Sequence, residues 1–209
     1  VSRQRWREVA VAGHSGDAAT AREALTDPDP VTRELALGAL QRCGALDEQA
    51  LRAALADDVA AVRRRAAELA AQHRQVPLLA VLDDPDDTVV EMAAWACGER
   101  ERVDDHTVTR LIELAGQHHT PLVREAAVAA LGAIGDERGL PAILAACSDK
   151  PAVRRRAVLA LAPFDGAEVV AALQRALGDR DWQVRQAAED VLRASGIELD
   201  PPGGTSDGG

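Results

Sequence analysis

A short stretch of this chain returns about every thirty residues. Thr32-Arg33-Glu34-Leu35-Ala36 comes back as Val62-Arg63-Arg64-Arg65-Ala66, Val89-Val90-Glu91-Met92-Ala93, Val123-Arg124-Glu125-Ala126-Ala127, Val153-Arg154-Arg155-Arg156-Ala157 and Val184-Arg185-Gln186-Ala187-Ala188. The anchors at 32, 62, 89, 123, 153 and 184 are 30, 27, 34, 30 and 31 residues apart. A fixed period of this size marks a solenoid, in which each unit buries its apolar face only against its neighbours. It predicts an all-α superhelix of six to seven helix pairs and no sheet. Helices should begin near residues 30, 60, 86, 121, 151 and 182.

Each unit reads as two antiparallel helices. In the fifth, Thr120-Pro121 opens the first helix: the Thr hydroxyl is expected to cap free N–H groups, and proline suits the first turn. Asp29-Pro30 repeats the device, and Asp181-Trp182 keeps the cap. Val123, Ala127, Ala130, Leu131 and Ile134 follow at helical spacing. Gly135 ends the helix, a role also expected of Gly44 and Gly13. The second helix carries Leu140, Ile143, Leu144 and Cys147, with equivalents at Leu51/Leu55, Leu78/Leu82, Leu111/Ala115 and Leu173/Leu177. The expected boundaries are a solenoid over 1–195, with cap-like ends, and a disordered Gly/Pro-rich tail over 196–209.

Composition narrows the function. The chain is 47% hydrophobic but only 2% aromatic, so Ala, Leu and Val must do the packing and few rings remain for a cofactor pocket. Lys150 is the only lysine; this skew toward Arg suggests a high-GC, bacterial source. A net charge of −10 disfavours nucleic acid, whose phosphates are held by Lys and Arg. Cys43, Cys97 and Cys147 form no CxxC pair and fall in apolar helical stretches, as free thiols of a reducing cytoplasm do. No apolar run reaches a membrane span, and the N-terminal stretch lacks a signal-peptide core.

The unit with Asp or Pro before Val-Arg-x-x-Ala, followed by Leu-Gly-x-Ile-Gly-Asp, resembles the HEAT-like repeats named after the bilin lyase subunits. Leu131-Gly132-Ala133-Ile134-Gly135-Asp136 is the closest match. The resemblance implies that the repeat arginine hydrogen-bonds with turn aspartates of adjacent units as a structural ladder. That role falls on Arg33, Arg63, Arg124, Arg154 and Arg185, with Val90 interrupting the series. It also implies a protein-binding scaffold whose second helices line a concave surface. Some similar proteins handle bilins, some excise alkylated bases, and others hydroxylate deoxyhypusine through paired His-Glu iron ligands. None of the five histidines (His14, His73, His106, His118, His119) is followed by Glu.

Few residues suggest chemistry. His118-His119 lacks further ligands at a defined spacing and reads as a solvated turn, so no metal is expected. Gly13-His14-Ser15-Gly16 lacks the spacing and preceding strand of a nucleophile elbow. In the runs Arg63-Arg64-Arg65 and Arg154-Arg155-Arg156, the residues after the ladder arginine are expected in solvent or paired with Asp. Trp95 stands six after its anchor, where other units carry Gly38, Glu68, Ala129, Leu159 and Asp190. It is either an exposed binding anchor or a ring folded over its own short repeat. Trp182 is expected to cap the last helix pair.

On the second helices one position reads Arg22, Arg52, Leu79, Ile112, Leu144, Gln174, and the next Glu23, Ala53, Ala80, Glu113, Ala145, Arg175. The first is a strip of the core or of the binding face; the second is expected exposed. Trp95, Arg22, Arg52, Arg110, Glu113, Gln174 and Arg175 are the candidate partner-binding residues. The function expected is that of a non-catalytic, cytoplasmic scaffold or adaptor, monomeric and without cofactor, which binds another protein or peptide but neither nucleic acid nor membrane. A bilin lyase-type chromophore-handling protein or chaperone is the alternative, and an alkylated-DNA-binding helical-repeat protein a more distant one.

Overall fold

A computed structural model describes residues 3–196, and within them every regular element is helical. The helices are α1 (Arg3–Ser15), α2 (Ala18–Glu23), α3 (Pro30–Arg42), α4 (Glu48–Leu55), α5 (Ala60–Ala70), α6 (Asp87–Gly98), α7 (Asp105–Gln117), α8 (Pro121–Ile134), α9 (Leu140–Ala146), α10 (Pro151–Ala160), α11 (Ala167–Ala176) and α12 (Trp182–Ala194). Two layers result. One stacks the first helices α1, α3, α5, α6, α8, α10 and α12; the other holds the second elements. The expected disordered tail lies, apart from Gly196, outside the described residues.

Local chemistry sets the helix starts. Asp17, Asp29, Asp47, Asp86, Asp104 and Asp181 each accept a hydrogen bond from a backbone N–H in the first turn of the helix that follows. Pro30, Pro121 and Pro151 stand in first turns, where their missing N–H costs nothing. Thr120 departs from expectation. Its hydroxyl makes no cap and instead donates to Asp87 in the preceding repeat.

Helix ends bring a second correction. Gly44 and Gly135 take φ of +65° and +68°, but near the N-terminus the left-handed residue is Gly16, at +78°. Gly13 lies inside α1, buried against α3, where an added Cβ would stand 2.8 Å from Ala39 Cα. Gly98 meets Ala130 and Gly132 meets Ala160 in the same way. All three glycines are equivalent positions in their repeats, so α1 approaches α3, α6 approaches α8, and α8 approaches α10 with little between them.

The third repeat lacks a second α-helix. Its Leu79–Asp83 segment is a 3-10 turn. Only 16 residues separate Ala70 from Asp87, and Pro77 lies among them without an N–H to donate. Leu78 and Leu82 are nevertheless buried, so the repeat keeps its apolar contribution while shedding a helix. The core is a continuous band of leucines, including Leu37, Leu51, Leu82, Leu111, Leu131, Leu161, Leu173 and Leu192, with alanines at the helix crossings. Buried Thr32 and Thr107 direct their hydroxyls to the capping Asp29 and Asp104.

Candidate functional site

Charge is used first to join repeats. Arg33 donates through Nε and Nη2 to Asp57, both at 2.7 Å; Arg63 does so to Asp84 at 2.7 and 2.8 Å. Arg124 reaches Asp149 at 2.6 and 2.7 Å, and Arg154 reaches Asp179 at 2.8 and 2.7 Å. Each also donates through Nη1 to a carbonyl of its own preceding turn. The fork geometry of arginine makes this three-way clamp possible, and lysine could not replace it. Among the described residues, Arg185 bonds only the Asp179 and Arg180 carbonyls. Sequence reasoning missed a further rung: Arg5 pairs with Asp27 at 3.5 Å. The signal was available, since Gly13 follows Gln4 by nine residues, as Gly98 and Gly132 follow their anchors.

The α6–α8 boundary is built differently. Val90 removes the arginine, and His118 replaces the aspartate that would receive it. Asp87, on the earlier repeat, lies 3.7 Å from His118 Nε2 and 3.4 Å from His119 Nε2. His118 is largely enclosed, so the expected solvated turn is instead an inter-repeat contact.

Two histidines and a carboxylate invite a metal reading, but the hydrogen bonding opposes it. His118 Nδ1 accepts from the Thr120 N–H at 3.2 Å, so the neutral ring carries its proton on Nε2, toward Asp87. A metal on Nε2 would require that proton on Nδ1, facing an N–H donor, whereas metal-bound histidine normally donates from its second nitrogen.

The second-helix candidates are largely engaged within the fold. Arg22 bonds Asp47 and the Ala45 carbonyl, and Arg52 bonds Glu48 and the Gln75 carbonyl. Arg110 pairs with Asp83 and Glu113. These contacts tie neighbouring second elements together. Gln174 and Arg175 are exposed, as is the whole row Glu23, Ala53, Ala80, Glu113, Ala145 and Arg175. Among the other arginines, Arg65 pairs with Glu68 and Arg156 with Glu125, so glutamates serve where aspartates were expected.

Trp95 is the distinctive surface feature. It projects from α6 with 43% of its area exposed, although its neighbours Ala94 and Ala96 are fully buried. The ring lines an open trough of about 500 Å³ between α6 and α8, with Met92, Leu122, Ala126, Ala129 and Ala133. Ala129 and Ala133 also line a second depression of about 490 Å³ that runs on to Leu159 and Pro163, so the trough crosses three first helices. The Gly98 and Gly132 crossings bring these helices together, and the alanines of α8 keep the space between them open. Trp182, expected to cover the last pair, is 64% exposed at the first turn of α12.

Two of the three thiols are poorly disposed to react. Burial pushes Cys97 up to about 12 and Cys147 up to about 11, leaving little thiolate at neutral pH. Among the described residues no helix is long and apolar enough to cross a membrane.

Comparison with known proteins follows the architecture. No curated protein sequence matches the chain. The crystal structure of YibA from Escherichia coli superposes with a TM-score of 0.68 at 20% identity, over 88% of this chain and 74% of that one. A designed armadillo repeat protein in complex with the peptide (KR)4 gives 0.61 at 20% identity, over 83% and 97%. Another designed armadillo repeat protein gives 0.58 at 19%, over 85% and 98%. At these identities the likeness is one of fold. Residues 76–152 and 140–201 match the HEAT-repeat profile, and the chain therefore belongs to the HEAT-repeat family.

Proposed function

We propose that this protein is a non-catalytic, cytoplasmic scaffold or adaptor that binds another protein or peptide along the first-helix face centred on Trp95. The observation that carries this reading is the exposed indole over a trough of small residues. Aromatic side chains of this kind dominate binding energy when a partner desolvates them. Burying a tryptophan in water-excluded contact returns more free energy than any other side chain of this chain offers. The reading moves the expected surface from the second helices, where Arg22, Arg52 and Arg110 are spent on neighbouring repeats, to the first.

A catalytic role finds less support. Chromophore attachment needs a reactive thiol; Cys97 and Cys147 are held as thiols by burial, and the Cys43 thiol lies against the Ala12 carbonyl at 3.6 Å, away from the trough. Excision of alkylated bases needs a basic groove, and glutamates outnumber arginine around the trough. A repeat fold that accommodates a peptide, as in the designed armadillo protein, accords with the same use here.

The test is site-specific photo-crosslinking in cells. A photoreactive amino acid at Ala133 should capture a partner, and Trp95→Ala should abolish that capture. The same probe at Ala145, on the second-helix face, should capture nothing comparable. Capture at Ala145 but not at Ala133 would overturn the assignment of the face.

A further inference from the structure

We infer that the Trp95 trough receives a cationic segment of its partner, one in which an apolar side chain is flanked on both sides by arginine or lysine. This rests on the trough being the binding face proposed above and adds the chemistry of its occupant. Glu91, Trp95 and Glu99 follow one another at intervals of four residues along α6 and its C-cap. That spacing places them on one stripe, about 6 Å apart along the axis. Two carboxylates therefore bracket the indole.

The trough is lined mainly by acid: Glu68, Glu91, Glu99 and Glu125 against Arg156, with Arg64 and Arg65 beside it acting on Glu91 and Glu68. Glu68 is held by Arg65 at 2.6 Å and Glu125 by Arg156 at 3.5 Å. Glu91 and Glu99 have neither a hydrogen bond nor an ion pair from their side chains among the described residues. Burial pushes the Glu91 carboxyl up; the charge of Arg64 works against this and that of Glu125 adds to it.

The occupant must answer these two carboxylates. A neutral apolar segment would bury them without a hydrogen-bonded partner, and burying a charge without one is costly. An acidic segment would add repulsion. A segment with basic, apolar and basic side chains in sequence satisfies both glutamates and places its apolar group over Ala126, Ala129 and Ala133. The spacing is easy to supply. Same-face side chains recur about every 6.6 Å in an extended chain and about every 6 Å at four-residue steps of a helix. A guanidinium would gain further by lying on the indole face.

The experiment uses the full chain labelled with 5-fluorotryptophan, so that Trp6, Trp95 and Trp182 report separately by fluorine NMR after assignment by single Trp→Phe variants. The probes are synthetic peptides with a central Leu flanked by Arg, by Gln or by Glu. The Arg peptide should move the Trp95 signal and leave that of Trp182 in place. Glu91→Gln with Glu99→Gln should weaken this binding about tenfold, and added salt should weaken it in the parent chain. Neither glutamate makes a contact that the fold needs, and circular dichroism verifies the double variant. If that variant misfolds, the salt dependence and the Gln peptide still decide.

Equal binding of the Arg and Gln peptides would overturn the inference about charge while leaving the trough as the binding face. Movement of Trp182 alone, or no movement of Trp95 with any peptide, would also overturn it. Crosslinking at Ala133 then judges the face independently.

Discussion

Asp87 lies 3.7 Å from Nε2 of His118 across the α6–α8 boundary, with the acid on the earlier repeat and the base on the later one. Every arginine–aspartate rung runs the other way. Val90 and His118 together mark the loss of both halves of one rung, as expected if an arginine left without its acceptor, or an aspartate without its donor, is worse than having neither. The Trp95 trough spans this same boundary.

Restoring the rung tests that account. Val90→Arg alone introduces a guanidinium without a carboxylate, and His118→Asp alone sets a second acid against Asp87. Both single variants should be less stable than the parent. The double variant should recover, with a coupling of about 1–3 kcal/mol in a double-mutant cycle measured by urea unfolding. Additive losses would mean that the two positions do not form a pair.

Existing rungs should differ in worth according to their acceptors. Arg154 is 6% exposed and clamps Asp179 with two bonds. Arg154→Met leaves that half-buried carboxylate without its ion pair and held only by the Asp181 N–H, at a cost of about 2–3 kcal/mol. Arg185→Met removes bonds to two carbonyls only and should cost about 1 kcal/mol. Equal losses in the two variants would count against charge as the source of the ladder's strength.

Acid should dissolve the ladder. Hydrogen bonds from Arg124 and Arg154 hold Asp149 and Asp179 below the usual carboxylate range. At Asp57 and Asp84 burial pulls upward, but Arg33, Arg63 and backbone N–H groups win. A folded value below the unfolded one stabilises fully above the unfolded value of about 3.9, and that stability is lost as pH falls through the folded value. Glu91 has the opposite sign, because its raised value makes its charge oppose folding at neutral pH. Urea midpoints should therefore be level from about pH 5 to 7 with respect to the ladder and fall below about pH 4. Arg154→Met should flatten that fall, and Glu91→Gln should stabilise at pH 7 but not at pH 3.

Much of this was legible because it is local. Helices begin at Pro30, Ala60, Asp87, Pro121, Pro151 and Trp182, within a residue of the positions set by the repeat and its Asp and Pro signals. What escaped depends on neighbours distant in sequence. The third repeat's second element shrinks to a 3-10 turn because of chain length, and its preserved leucine pattern concealed this. Arg5 sits in a unit whose only clear repeat mark is Gly13. The contact of Asp87 with His118 joins residues 31 apart, which no local pattern connects. Nor could the sequence decide whether Trp95 is covered, because the answer lies in the small size of Ala129 and Ala133 on the next first helix.

Gly132 offers a case where helix propensity and packing predict opposite signs. It lies within α8, where alanine is the better helix former by about 1 kcal/mol. A Cβ there would stand 2.6 Å from Ala160 Cβ and 2.7 Å from its Cα, so the backbone of α10 must move. Gly132→Ala should lower stability by about 1–3 kcal/mol, as overpacking does, and calorimetry reads it directly. A more stable variant would show that the α8–α10 approach is slack.

Trp95→Ala separates stability from binding. With 43% of its area in water, the residue has already left much of its surface outside the core. The buried contacts of α6 come from Val89, Val90, Ala93, Ala94, Ala96 and Cys97 instead. Truncation should therefore cost about 0.5–1 kcal/mol, nearer to a surface change than to the roughly 3–5 kcal/mol of a core tryptophan. Chemical denaturation followed by far-UV circular dichroism gives the number without relying on fluorescence, to which Trp6 and Trp182 contribute. Capture of a partner at Ala133 should be lost in the same variant. A stability loss above about 3 kcal/mol would instead make Trp95 a structural residue. The lost capture would then reflect a disturbed α6, not a missing anchor.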